Sequence, residues 1–444
     1  MFLTKEGLWH DEAITAISSV QRLPELIKLQ FYFGYSPLYL LMVKPIVMIF
    51  GNSELIVRLP SALFGILAVY GMYLLSKELF DNEWIINTST ALFSFSALQV
   101  HFSQEARPYE IVACAVIFSF YFFIKALEKN RPMDWVLYSI VTFFALHLNI
   151  LVLTVLLAQF LWTLIKKQGS FEFNLAFTII ILLFSPMVFF YLKMGRLYFV
   201  NWLSPLSGKI LAHLFYGYFL IPMPFPRTGI FTDIYIFMMK SLSFLLLVPL
   251  AARAYFMIKE KGSKESNNIF LLWMWIFIPV ILEILYSMTR QPIMGMLRYL
   301  MFLSPALYLL LAYSVWRMFP IDLKKPACIA LVIIFSIPML SYYFIPKRED
   351  WRGAISYLKS NMGKKDLVFT DVTGIPLFQY YWGKQPLKLF DTRHLYSINF
   401  SSGWVLMRSS EFSTCFGDGS MLKKQFKASE AGNFTDIKLV KLIR

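Results

Sequence analysis

The sequence predicts an α-helical polytopic membrane protein with a small α/β domain at its C-terminal end. Three observations carry that expectation. The 444-residue chain is 58% hydrophobic and 18% aromatic, beyond the apolar share of soluble domains. Apolar runs approaching 20 residues recur along it, each suited to a hydrocarbon core ~30 Å thick. From residue 346 onward the apolar runs stop, and shorter amphipathic and alternating patterns replace them.

The runs 58–77, 84–102, 109–124, 135–147, 149–165, 173–193, 231–252, 269–287, 298–316 and 327–345 read as spanning helices, giving about ten to eleven spans in all. The run 36–50 contains Pro37, Lys44 and Pro45. Proline breaks helix hydrogen bonds and a mid-bilayer lysine is costly, so this run reads as a helix lying at the interface. The segment 201–229 is rich in Pro, Gly and aromatics, with Pro222, Pro224 and Pro226. It reads as a lid or re-entrant element over a cavity. His147 and Asn149 form a tight turn between two apolar runs and receive no role. In the tail, Glu349 to Leu358 reads as an amphipathic helix with an acidic start. Asp366 to Thr370, Trp404 to Met407 and Ile437 to Val440 read as strands. The chain thus divides into a membrane domain, 1–345, whose residues 1–57 form a first external loop, and an α/β domain, 346–444.

Lysines and arginines concentrate in one set of loops, around Lys125 and Lys129, Lys166 and Lys167, Lys259 to Lys264, and Lys324 and Lys325. The positive-inside rule places that set in the cytoplasm of a multi-pass plasma-membrane protein. The acidic pair Asp11-Glu12, the island around Glu105 and the C-terminal domain then face outward. With its acidic pair outside, the chain is expected to lack a first transmembrane helix that would precede residue 1. The net charge of +15 fits anionic membrane lipid and, with no recognition motif beside it, excludes nucleic acid. The scattered Cys114, Cys328 and Cys415 make neither a disulfide framework nor a zinc site.

Two polar islands could carry chemistry. Asp11 and Glu12 fit either the start of an interfacial helix or a general base, which needs a carboxylate within hydrogen-bond reach of an acceptor hydroxyl. His101, Glu105, Arg107 and Tyr109 make up the second island. Arg107 reads as loop charge at a helix start or as a grip on phosphate, since guanidinium offers two parallel donors. His101 could donate to a phosphate, although an interfacial resting place explains it as well. Arg298-Tyr299, with Arg290 nearby, fits headgroup snorkelling or a leaving phosphate. Asp11, Glu12 and Glu105 also leave a divalent metal ion open, while no cofactor is required.

Several stretches together resemble the C-type (GT-C) membrane glycosyltransferases, in the branch of the protein O-mannosyltransferases and lipid A aminoarabinose transferases. They are the acidic pair, Ser36-Pro37-Leu38-Tyr39, Arg58-Leu59-Pro60-Ser61-Ala62, Gln104-Glu105-Ala106-Arg107-Pro108-Tyr109, Arg298-Tyr299-Leu300 with Pro305, and Asp350-Trp351-Arg352. The resemblance is best over residues 9–125. It implies a GT-C architecture and an inverting transfer of sugar from a polyprenyl-phosphate-linked donor to a lipid, polysaccharide or protein acceptor. Asp11 matches the family's catalytic aspartate, with Glu12 beside it, Glu105 as the second acid, and Arg107 and Arg298 toward phosphate. Some relatives place a lysine before the Pro-Leu of the first loop. Here Tyr35-Ser36 stand there, leaving either Lys44 or an arginine to substitute, or a different donor. A polysaccharide polymerase or ligase, and a transporter of lipid-linked sugar, are the competing readings. The first would carry its arginines in a large late loop, and the second would carry charged or broken helices at mid-membrane.

Overall fold

The computed structural model describes residues 2–32, 36–194, 207–208, 217, 263–289, 297–344, 348–383, 388–394, 398, 400–416 and 427–443. The expected span 231–252, Arg290 and nearly all of the Pro-rich segment 201–229 lie outside them. The described helices are α1 (His10–Ser19), α2 (Leu23–Tyr32), α3 (Leu38–Phe50), α4 (Glu54–Leu79), α5 (Glu83–Phe95), α6 (Ala97–Ser103), α7 (Tyr109–Lys129), α8 (Pro132–Leu148), α9 (Val152–Lys166), α10 (Phe171–Met194), α11 (Lys264–Thr289), α12 (Ser304–Met318), α13 (Lys324–Phe344), α14 (Trp351–Asn361), α15 (Gly374–Trp382) and α16 (Ser409–Phe416). Five helical stretches are long and apolar enough to cross a membrane: 54–79, 109–129, 171–190, 264–289 and 297–318. The run 36–50 becomes the 13-residue α3, about 20 Å long and so short of a full crossing.

One expected span is corrected. The run 84–102 breaks at Ser96, whose backbone is extended (φ −64°, ψ 127°), into α5 and α6. Ser96 Oγ and Tyr308 Oη lie 2.7 Å apart, a buried hydrogen bond that fixes the break. The short α6 then delivers the polar island at its end.

The chain separates into two compact units. The larger, 27–39 with 61–345, is a helical bundle around one apolar core that includes Phe120, Phe123, Tyr138, Trp275 and Tyr308. Polar pairs join its helices: Ser119 with Thr142 at 2.7 Å, Tyr138 with Gln159 at 2.8 Å and Ser76 with Ser89 at 3.1 Å. Inside a bilayer such pairs satisfy groups that lipid would leave unbonded.

The smaller unit joins 1–26, 40–60 and 346–444. It cuts across the single boundary expected at 345, because the N-terminal loop is ion-paired to the start of the tail. Its sheet has the order β2-β1-β3-β5-β4, with β1 (Leu367–Thr370), β2 (Leu389–Asp391), β3 (Ser402–Arg408), β4 (Lys427–Phe434) and β5 (Ile437–Ile443). β1 runs parallel to β2 and β3, and β5 runs antiparallel to β3 and β4. β5 buries Ile437 and Leu439 on one face and Val440 and Leu442 on the other. Asp350 Oδ1 accepts from the Gly353 amide at 2.8 Å and so caps α14, while Trp351 is buried.

Candidate functional site: an acidic loop and an arginine–tyrosine cluster

Asp11 and Glu12 belong to the smaller unit, and the other six candidate residues to the larger. Each group is built differently.

The acidic pair opens α1, where carboxylates complement the helix dipole. Adjacent residues of a helix point apart, and the two carboxylates have opposite surroundings. Glu12 is fully buried. Arg58 Nε donates to its Oε1 at 2.8 Å and Arg58 Nη2 to its Oε2 at 2.6 Å. Arg348, at the start of the tail, donates to the same Oε2. The remaining donors of Arg58 bind the carbonyls of Leu3 (2.5 Å), Glu6 (3.0 Å) and Gly7 (2.9 Å). One guanidinium thereby folds the whole stretch before α1 around itself. Asp11, one residue earlier, is half-buried, so its side chain keeps access that Glu12 lacks.

A second clamp secures this loop. Arg352 Nη1 donates to Glu54 Oε2 at 2.8 Å and Tyr381 Oη to Glu54 Oε1 at 2.5 Å. The Leu8 amide donates to Tyr381 Oη at 2.6 Å. Burial, with the Glu54 carboxylate beside it, pushes the Tyr381 hydroxyl well above the usual phenol range, which keeps it neutral and able to donate. Burial likewise pushes Tyr380 up to about 12. Gly7 permits the approach: a Cβ there would lie 2.9 Å from Tyr381 Oη and 3.2 Å from Arg352 Cβ. His10 Nδ1 is 2.8 Å from the Thr373 carbonyl, an anchor adjoining Asp11. Lys44 donates from its ammonium to the carbonyls of Ser19 (3.2 Å) and Gln21 (2.5 Å) at the end of α1.

In the larger unit the island spans the end of α6 and the turn after it. His101 Nε2 lies 3.7 Å from Glu105 Oε2, one helical turn on. The Arg107 amide donates to the Glu105 carbonyl at 2.7 Å, and the Arg107 carbonyl accepts from Ser61 Oγ at 3.0 Å. Gly65 lets α4 close on α6, since a Cβ there would lie 2.7 Å from Ser103 Cβ. Pro108 and Tyr109 then start α7. The Tyr109 ring meets Phe102 edge-on at 5.4 Å and Tyr299 at 6.3 Å. The Arg107 guanidinium carbon stands 5.8 Å from the Tyr109 ring centre, and that of Arg298 stands 5.5 Å from the Tyr299 ring centre. Asn149 Nδ2 donates to the Tyr299 carbonyl at 3.2 Å. The structure thus brings Arg107, Tyr109, Tyr299 and Arg298 into one cluster, with His101 and Glu105 at its side. Two guanidinium groups over two hydroxyl-bearing rings make a surface suited to an anion.

Among the described residues no group of three His, Cys, Asp or Glu side chains stands together as a metal site. Both oxygens of Glu12 are taken by arginines. The sequence reading missed Arg58 and Arg348 as partners of Glu12, and Glu54 and Tyr381 as the second clamp. A buried arginine at the head of a span was the available signal, since such a charge needs a partner.

With this geometry in view, the comparisons with known proteins are informative. The profile of the family described as dolichyl-phosphate-mannose-protein mannosyltransferase matches residues 35–190. No curated protein matches the sequence. Among solved structures, ArnT from Cupriavidus metallidurans in the apo state superposes with a TM-score of 0.60 at 11% identity, over 99% of this chain and 95% of that one. The same protein bound to undecaprenyl phosphate gives a TM-score of 0.52 at 12% identity, over 92% and 88%. The fold is the GT-C fold of membrane glycosyltransferases, a multi-pass membrane architecture followed by a small mixed α/β region.

Proposed function

We propose that this protein is an inverting glycosyltransferase that moves a sugar from a polyprenyl-phosphate donor to an acceptor on the outer face of the plasma membrane. One observation carries the reading: Arg107 and Arg298 are gathered over paired tyrosines beside the first turn of α7. A phosphate that leaves with the bonding electron pair needs positive charge more than it needs a proton. Two guanidinium groups give it that charge at any physiological pH. The undecaprenyl phosphate bound by the structurally similar ArnT supports a lipid phosphate as the anion.

In this reading the acceptor hydroxyl attacks the anomeric carbon, a carbon–oxygen bond forms, and the bond to the phosphate oxygen breaks. Asp11 takes the hydroxyl proton, and polyprenyl monophosphate departs. Glu12 acts as a positioning residue: its carboxylate is committed to Arg58 and Arg348, so it fixes the turn that presents Asp11. Glu105 holds His101 beside the phosphate-binding arginines. The sequence's charge bias supports an outward-facing site. Sugar and acceptor are left to experiment.

The test is binding of sugar-free polyprenyl phosphate by ligand-induced thermal shift in detergent. Wild type should be stabilised. Arg107→Ala and Arg298→Ala should each weaken binding by roughly 10- to 100-fold, the worth of one charge-assisted hydrogen bond. Equal binding by the double variant would refute the assignment.

A further inference from the structure

Apart from the arginine–tyrosine cluster, α11 buries a carboxyl that the mechanism has not used. Glu283 is 2% exposed. Among the described residues neither of its side-chain oxygens has a hydrogen-bond partner. An ionisable group in a spanning helix is expensive and marks a partner or a substrate path. Leucine or methionine would fill a similar volume without that cost.

Contacts at both ends of α11 fix the depth of Glu283. Arg317 Nη2 donates to Glu265 Oε1 at 2.6 Å, and Trp162 Nε1 to the Asn267 carbonyl at 3.3 Å. Farther along, Trp275 Nε1 donates to the Phe302 carbonyl at 3.1 Å. The helix therefore runs antiparallel both to α9 and to the 297–318 stretch. From Trp275 to Glu283 it advances about 12 Å at 1.5 Å per residue. From Phe302 back to Arg298 the 3₁₀ turn covers about 8 Å at 2.0 Å per residue. Along α9, Trp162 to Asn149 spans about 20 Å, against about 24 Å from Asn267 to Glu283. Both registers place Glu283 within one turn of the level of Arg298, Tyr299 and Asn149, where Asn149 holds the Tyr299 carbonyl.

We propose that Glu283 is a donor-binding residue that accepts hydrogen bonds from the sugar hydroxyls of the polyprenyl-phosphate sugar. The inference rests on the donor class proposed above. Of that molecule's three parts, the prenyl tail has no hydrogen to donate, and the ionised phosphodiester has none either and is drawn to the arginines. The sugar, joined to the phosphate through its anomeric carbon, carries several hydroxyl donors. An acid at that level whose two oxygens have no partner among the described residues is matched to them.

The experiment compares wild type, Glu283→Gln and Glu283→Leu in detergent. Probes are short-chain polyprenyl-phosphate mannose, glucose and aminoarabinose, and sugar-free polyprenyl phosphate. Glu283→Leu should melt at or above the wild-type temperature, because it removes an unsatisfied buried acid. It should weaken binding of the preferred sugar-linked probe by roughly tenfold, the worth of one good hydrogen bond. Binding of sugar-free polyprenyl phosphate should stay within about twofold, and Glu283→Gln should lie between. Lower melting of Glu283→Leu, equal loss for both kinds of probe, or no loss for either would overturn the proposal. Failure of the donor class itself shows separately, as wild type that binds no probe through Arg107 and Arg298.

Discussion

Replacing Glu12 by alanine would remove the one anion shared by two buried arginines. Arg58 is 2% exposed and Glu12 0%, and Arg348 is 9% exposed. Neither guanidinium can turn to water, and Arg58 would lose the carboxylate that takes two of its donors. Breaking a buried ion pair by deleting one partner costs ~3–5 kcal/mol. Arg58 loses its paired carboxylate while Arg348 keeps Glu6 at 3.8 Å, so the middle of that range applies. For a unit of this size the loss corresponds to a drop in melting temperature on the order of 10 °C. Asp11→Asn, at a half-buried position one residue away, should shift stability by no more than about 0.5 kcal/mol. Both variants should lose turnover, Glu12→Ala by misplacing the loop and Asp11→Asn by losing the base. Thermal unfolding followed by tryptophan fluorescence, with Trp351 and Trp404 buried in the same unit, separates the two causes. A Glu12→Ala protein that melts like wild type yet transfers no sugar would refute the positioning role and return Glu12 to the chemistry.

Other expectations follow from contacts of the same kind. Gly65→Ala puts a Cβ 2.7 Å from Ser103 Cβ, so α6 must shift and carry His101 and Glu105 with it; donor KM should rise while expression in the membrane is retained. Arg107→Lys keeps the charge but loses the planar two-donor fork, and should recover only part of the donor affinity lost in Arg107→Ala, measured as KM at fixed acceptor. In the C-terminal unit a hydrogen bond with Asp371, then burial, raises the Glu411 carboxyl from 4.5 to about 7, with Arg408 opposing and Glu349 adding to the shift. A raised acid favours the protonated folded state. Its contribution to stability is complete below the ordinary carboxylate range and is lost as pH rises through about 7. Glu411→Gln should flatten the melting profile across that window and exceed wild type on its alkaline side; a profile unchanged from wild type would contradict it.

The helical frame was legible because lipid imposes a simple rule: backbone polar groups must bond within the segment, so apolar length alone marks α4, α7, α10 and α11. The break at Ser96 was not, since Ser96 is a weak punctuator and its partner Tyr308 is remote in sequence. The tail's amphipathic helix and three strands followed from local periodicity. The short β2 and the strand β4, with its irregularity between Glu430 and Gly432, carry no such pattern. Asp11 and Glu12 read alike as neighbouring acids, and only the three-dimensional pairing with Arg58 and Arg348 distinguishes them. The Arg107 and Arg298 cluster could be named residue by residue, but its assembly over Tyr109 and Tyr299 depends on where the 297–303 turn packs. Asn149, which received no role, turns out to hold Tyr299 in place.

The central claim is that Asp11 takes the acceptor's proton in a transfer that releases polyprenyl phosphate. Membranes containing wild type or Asp11→Asn, given a panel of polyprenyl-phosphate sugars with cell-envelope acceptors, would be followed for release of sugar-free polyprenyl phosphate. The account predicts release by wild type with at least one donor, and a loss of ~10²-fold or more in Asp11→Asn, the contribution of a positioned general base, at unchanged melting temperature. Release that persists at the wild-type rate in Asp11→Asn would contradict it.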